Sequence, residues 1–293
     1  MYKETTGGKI FRVINTTIIL FIVVITVMPF ILVVNGSIVS ENEFFRTGGV
    51  IFIPRSFSAR NYKFIFTEGS ILSSFWISVQ RVVIGVPFAM LLTIILAYAM
   101  TKKDMPGYRL LMLFMVFMMY FDGGLIPRLL LYKDLGLYNN FLVYIFPMGI
   151  SVFNALLLRN FINTIPESLP ESARLDGASE STILFRIILP LAKPGIATVS
   201  LFVAVAHWND WFTAIAYMRQ GINNVPMQTY LRKMVTLSQL ELDAMGVMQD
   251  MITPTPETLK MAAIVATTVP IVIVYPFIQK YFVKGILIGS VKE

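Results

Sequence analysis

The sequence has no cysteine and a single histidine, His207. The first absence removes structural disulfides, thiol nucleophiles and thiolate metal sites together, and with them any reading of redox compartment. The second, with no H-E-x-x-H helix in the chain, removes the imidazole clusters that a zinc or di-metal centre needs, so no metal site is expected. Charge is scarce too: 14% of the 293 residues are Asp, Glu, Lys or Arg, against about a quarter in an ordinary soluble domain. A soluble chain of this length would need polar residues to cover its outside. Here 56% of residues are apolar, and several runs of roughly 20 residues are almost free of charge, as expected where the outside faces lipid. The net charge of +7 is scattered around those runs with no basic stripe interleaved with aromatics, which argues against a nucleic-acid partner and reads instead as topology.

The runs are read as six transmembrane helices, at about 13–39, 74–100, 110–126, 141–158, 195–217 and 259–282. The first follows Lys3, Lys9 and Arg12 as a signal peptide would, but its apolar stretch is too long and no small-x-small cleavage pattern follows, so it is read as uncleaved, with Pro29 as a kink. An even count places both termini on one side. With that side cytoplasmic, the inner segments hold about 13 basic and 7 acidic residues and the outer ones about 10 of each, with Arg81 left inside the second span, in keeping with the positive-inside rule. No linker, repeat or low-complexity tract divides residues 1–293, which are read as a single all-α membrane domain.

One connection is longer than a helix turn requires. Residues 159–193, cytoplasmic in this topology, hold Pro170 at a helix start, polar Glu171, Arg174 and Asp176, then Gly177 as a left-handed stop, which predicts a helix over 170–176. After it the chain restarts at Ala178 or Ser179, a plausible cap for a second, amphipathic helix running through Arg186 to Pro190. Two short helices at an angle suit insertion into another protein's groove, and equally an interfacial segment on lipid headgroups.

The string Glu171-Ser172-Ala173, three residues, Gly177, nine residues, Ile187, one residue, Leu189-Pro190 resembles the E-A-A-x3-G-x9-I-x-L-P signature of bacterial ABC-importer permeases, with Ser172 its one departure. Ile165-Pro166-Glu167 and Asp176-Gly177-Ala178-Ser179 look like the maltose-type, sugar-importing branch, as do Trp208-Asn209-Asp210 and the tail Gln279 to Gly285. Gly123-Gly124-Leu125-Ile126-Pro127 with Leu135-Gly136-Leu137 is similar to permeases for complex oligosaccharides or polysaccharides.

The resemblance implies a type I ABC-importer permease: six helices, with Glu171 to Leu189, and Asp176 and Gly177 within it, as a coupling loop between helices 4 and 5. It implies a second permease forming a heterodimer, two ATPase subunits that bind ATP and Mg, an extracytoplasmic solute-binding protein and a bacterial inner-membrane location. This chain has no G-x-x-x-x-G-K-[ST], so it has no such phosphate cradle and is expected to carry no cofactor and no catalytic activity itself.

Polar residues inside membrane spans default to functional hypotheses. His207, Trp208, Asn209, Asp210 and Trp211 lie at the outer end of the fifth span, where they either line a saccharide path or belong to an aromatic belt and helix packing. Arg81 either snorkels to the interface or pairs with a carboxylate in the bundle. The outer connection 218–257 is long enough to reach a binding protein or to be a solvated loop. Arg46, Arg55, Arg60 and Lys63 give the first outer loop a basic character suited to an anionic saccharide such as alginate. An ion-coupled secondary transporter is the alternative. It would need a carboxylate near the midplane, and only Asp122 and Asp210 are candidates.

Overall fold

A computed structural model describes residues 6–67, 71–219, 225–244 and 255–290. Every regular element among them is helical: α1 (Thr6–Ile38), α2 (Glu41–Arg46), α3 (Arg60–Thr67), α4 (Ile71–Ala99), α5 (Tyr108–Tyr120), α6 (Leu125–Asp134), α7 (Val152–Ile162), α8 (Ser168–Leu175), α9 (Glu180–Ile183), α10 (Leu189–Leu191), α11 (Lys193–Asn209), α12 (Phe212–Tyr217), α13 (Met227–Ala244) and α14 (Pro256–Ser290). Three of these, α1, α4 and the 257–274 part of α14, are continuous, long and apolar enough to cross a membrane, and the number rises to six when each of three bent pairs counts as one span.

The bends have local causes. The run 110–126, expected as one helix, stops at Tyr120, and α6 leaves at 115°. Between them the Asp122 carboxylate accepts the Gly124 N–H at 2.9 Å and pairs with Arg128 at 2.6 Å, while Gly124 adopts φ +85°, open only to a residue without a side chain. The run 141–158 begins in two short 3-10 turns, Phe141–Tyr144 and Phe146–Met148, before Ser151 caps α7. The run 195–217 also divides: α11 ends at Asn209, Asp210 is extended, and α12 resumes at Phe212. The expected outer loop 218–257 contains the 18-residue α13, and its residues 220–224 and 245–254 lie outside the described ones.

The chain groups into two compact units, residues 1–70 with 233–269, and residues 71–232 with 270–293. In the first, a Cβ on Gly36 of α1 would lie 2.2 Å from the Met261 sulfur, so a side chain there would force the methionine to move. Asn61 donates to the Ser37 carbonyl and accepts from Thr258, satisfying a buried amide from two sides. The 40–58 segment is tied by Glu43, whose carboxylate accepts the N–H of Arg55 and both N–H and hydroxyl of Ser56. The hydroxyl and backbone hydrogen bonds from Ser56 and Arg55 hold that carboxyl below its ordinary value.

In the second unit α4, α7 and α11 pack on one another. Their core holds Ala89, Met90, Ala97, Leu158, Val199 and Val203, and Ile183, Leu184 and Ile188 of the 159–193 connection join the same cluster. That connection is therefore folded against the helices, not looped out from them. The Cβ that Gly195 lacks would fall 2.5 Å from the Phe161 ring, which is why α11 and α7 can meet so closely there.

Candidate functional site

The two segments that the sequence singles out, 159–193 and 207–211, lie in the same compact unit. In the first, α8 begins two residues before Pro170 and ends where Gly177, at φ +81°, turns the chain. Gly177 donates to the Arg174 carbonyl at 3.0 Å and Ala178 to the Ala173 carbonyl at 2.9 Å, the paired bonds of a Schellman turn. The two alanines are half-buried against the core, so the turn has its apolar clasp. The Ser179 hydroxyl accepts the Thr182 N–H and starts α9, and a π turn at Leu184–Ile188 leads through Leu189 and Pro190 to α11, which leaves at 82°.

This geometry sorts the signature residues. Ala173, Ile187 and Leu189 face inward to various degrees, while Glu171, Ser172, Asp176, Gly177 and Pro190 are exposed. Leu175, at the end of α8, is 89% exposed, and nothing stands within 4 Å of where a Gly177 side chain would begin. The segment thus presents a free tip on a fixed base. Glu171 enters no ion pair among the described residues. Glu180, which the sequence pattern did not single out, is engaged three times: with Arg174 Nε at 2.8 Å, Lys102 Nζ at 2.8 Å and the Tyr98 hydroxyl at 2.5 Å. Partial burial would raise its pKa, but the bonds from Lys102, Tyr98 and Arg174 outweigh this and hold the carboxyl at about 2. The signal available in sequence was the i, i+6 pairing of Arg174 with Glu180 across the glycine; nothing pointed to Lys102.

The second segment centres on Arg81, which is fully buried in α4. Its guanidinium pairs with the Asp210 carboxylate, donates to the Asp210 carbonyl at 2.8 Å and lies 4.7 Å from the centre of the Tyr144 ring. Of the two fates open to Arg81, the chain adopts the bundle carboxylate. Asp210 also accepts the N–H groups of Phe212 and Thr213, so one side chain both neutralises Arg81 and caps α12. His207 is 1% exposed, its ring filling the space that a Gly85 side chain would need, with the missing Cβ only 2.5 Å from Cε1 and Nε2.

The five residues 207–211 therefore do not share one environment. His207 is buried, Asp210 and Trp208 are half-buried, with Trp208 edge-on to Phe75, and Asn209 is exposed. Trp211 is half-buried beneath the guanidinium of exposed Arg232, 3.7 Å from its ring centre. Arg232 comes from α13, whose start is pinned by Met227 donating to Ser78 at 2.8 Å and Thr229 donating to the Trp211 carbonyl at 3.1 Å. Gln228 stands 3.5 Å from Asn209. Among the described residues no group of three His, Asp or Glu side chains is placed to hold a metal ion.

Three helices long and apolar enough to cross a membrane, six if each bent pair counts as one span, are the features of a multi-pass membrane protein. A family model for the inner membrane component of binding-protein-dependent transport systems matches residues 91–288, and the chain belongs to that family. It is 41% identical over 97% of its length, and 99% of the relative's, to the polygalacturonan/rhamnogalacturonan transport system permease protein YtcP of Bacillus subtilis. It is 29% identical, over 93% of both chains, to the arabinooligosaccharides transport system permease protein AraQ of Halalkalibacterium halodurans. Among solved structures, a chain from a bacterial ABC transporter involved in the import of the acidic polysaccharide alginate superposes with a TM-score of 0.83. The match covers 96% of this chain and 100% of that one at 29% identity.

Proposed function

We propose that this chain is one of two permease subunits of an ATP-driven importer that carries a saccharide across the bacterial cytoplasmic membrane. On this reading α8 is the helix through which partner ATPases drive it. The observation that carries the proposal is the free tip of α8: Glu171 and Leu175 exposed, Gly177 open around its missing side chain, and the base of the segment fixed in the core. An exposed apolar residue beside an unpaired carboxylate, on a helix too short to persist in water alone, is what a partner's groove would complete. The basic bias puts this segment and both termini in the cytoplasm. ATP and Mg belong to the two ATPase subunits, and an extracytoplasmic solute-binding protein delivers the substrate.

The substrate class is an acidic oligosaccharide or polysaccharide, as the names of YtcP and of the alginate importer suggest. Asn209 and Trp211, with Arg232 and Gln228 beside them, are the members of the outer cluster that face a translocating sugar, an aromatic face and amides being suited to a pyranose and a guanidinium to its carboxylate. His207 and Asp210 support them from within. The ion-coupled alternative loses ground because its two candidate carboxylates, Asp210 and Asp122, are both paired, with Arg81 and Arg128.

The test is saccharide-stimulated ATP hydrolysis and uptake by the reconstituted complex of this chain, its partner permease, ATPases and binding protein. Glu171→Lys and Gly177→Trp are expected to abolish both while assembly, followed by co-purification, persists. Uptake by this chain alone on an ion gradient, indifferent to both substitutions, would overturn the reading.

A further inference from the structure

We infer that Glu180 is a strut that fastens the α8–α9 segment to the end of α4, so that a displacement imposed on α8 reaches the second span as rigid-body motion. This rests on the reading of α8 as the docking helix. The Glu180 carboxylate receives Arg174 from α8 on one side and Lys102 and Tyr98 from the end of α4 on the other. Lys102 reaches Glu180 while lying 4.5 Å from the centre of the Tyr98 ring, so the two donors on the α4 side brace each other.

The strut is anchored at its root as well as its tip. Glu180 opens α9 directly after the Ser179 cap, and Ile183 and Leu184 one turn later are buried in the core. No side chain of α8 is fully buried: Pro170 and Ala173 are half-buried, and Ala173, with Ala178 just past the helix, offers a methyl group to the core. The strut forms part of the wall of an open cleft of about 860 Å³, which Tyr98, Lys102, Arg174 and Glu180 line together with Asn163 and Pro170. Sideways motion of α8 across that space is opposed by the Glu180 bonds. A single exposed ion pair contributes little, but one carboxylate shared among three donors from two elements loses its freedom only once.

The cysteine-free sequence makes a covalent replacement possible. In the reconstituted complex, Glu180→Ala is expected to lower saccharide imported per ATP hydrolysed roughly tenfold, the worth of one charge-assisted hydrogen bond, with assembly and basal hydrolysis unchanged. Paired Lys102→Cys and Glu180→Cys should be uncoupled in the same way until a short bifunctional thiol reagent joins them, when import per ATP returns. Should the Glu180 variants fail to assemble, Lys102→Met, which keeps the carboxylate and its bond to Arg174 but removes the α4-side cation, is expected to lower import per ATP in the same direction, and an unchanged ratio there overturns the strut. A cross-link that leaves import uncoupled, or stops hydrolysis, shows that the two elements must separate and overturns the strut. If Gly177→Trp uncouples and the Glu180 variants do not, the strut alone is wrong; if none of them matters, the docking reading fails first.

Discussion

Removing the carboxylate of Asp210 should cost this protein more than removing both members of its ion pair. Arg81 is fully buried, and Asp210 supplies its counter-charge, a carbonyl acceptor at 2.8 Å and the cap of α12. Asp210→Ala strands a buried cation, a loss of about 3 to 5 kcal/mol, and adds about 1 kcal/mol for the N–H groups of Phe212 and Thr213. Arg81→Met in the same chain removes the stranded cation and keeps most of its volume, leaving roughly the lost cap and an unsatisfied carbonyl, about 2 kcal/mol together. The double variant should therefore recover about 2 to 4 kcal/mol, which corresponds to several degrees in melting temperature for a chain of this size. The assay is thermal unfolding of the purified complex in lipid nanodiscs, with the two single variants and the double completing the cycle. Strictly additive losses, or a single Asp210→Ala no worse than the double, would refute the claim that the pair is coupled. Import measured on the same samples separates this role from substrate contact, since a contact would lower import in Asp210→Asn without moving the melting temperature.

Three shorter expectations follow from the same geometry. Gly85→Ala drives a methyl group to 2.5 Å from the His207 ring; it should destabilise by about 1 to 3 kcal/mol, and a second change, His207→Ala, should relieve the crowding. Glu180 has its pKa depressed to about 2 from an ordinary 4.5, so its contribution to stability is present above 4.5 and lost as pH falls toward 2; import per ATP should show no Glu180-dependent change between pH 8 and 5, and a step at pH 6 would contradict the assignment. Arg232→Gln should reduce import of a carboxylated oligosaccharide roughly tenfold while sparing a neutral one of equal length, and an equal loss for both would reduce Arg232 to a brace on Trp211.

Much of this fold was legible because its logic is local. Apolar runs mark where helices lie, and Pro170, Gly177 and Ser179 place the turn inside the 159–193 connection almost residue by residue, since a left-handed stop and a hydroxyl cap act within a few residues of themselves. The break after Tyr120 was not anticipated, although its elements, Asp122 with two glycines, stood in the sequence; an apolar run of membrane length outweighed them. The partners of Arg81 and Trp211, and the α4-side partners of Glu180, were beyond reach for another reason. Arg81 meets a carboxylate 129 residues away and Tyr98 meets Glu180 at a separation of 82. Which basic residue meets which acidic one at such distances is decided by helix packing, and no periodicity within one segment encodes it.

The two polar centres of the second unit share α4, and that placement bears on how a transporter built this way can work. Arg81 holds α4 to Asp210 near one end, and Tyr98 with Lys102, just past the other, hold it to Glu180. The two anchors are about 25 Å apart along the helix. A straight helix pinned at both ends would oblige both to move together. Pro87 lies between them and removes one backbone hydrogen bond to the preceding turn, which lets the helix bend at that point. The half of α4 beyond Pro87, however, packs through Ala89, Met90 and Ala97 on both α11 and the 159–193 connection, so these three elements share one core. Gly85 lets the buried His207 ring pack directly against α4 two residues before Pro87, so the surface beside that proline is filled. A displacement of the 159–193 connection would therefore carry α11 and this half of α4 with it, and through α11 it would reach Asp210, the partner of Arg81.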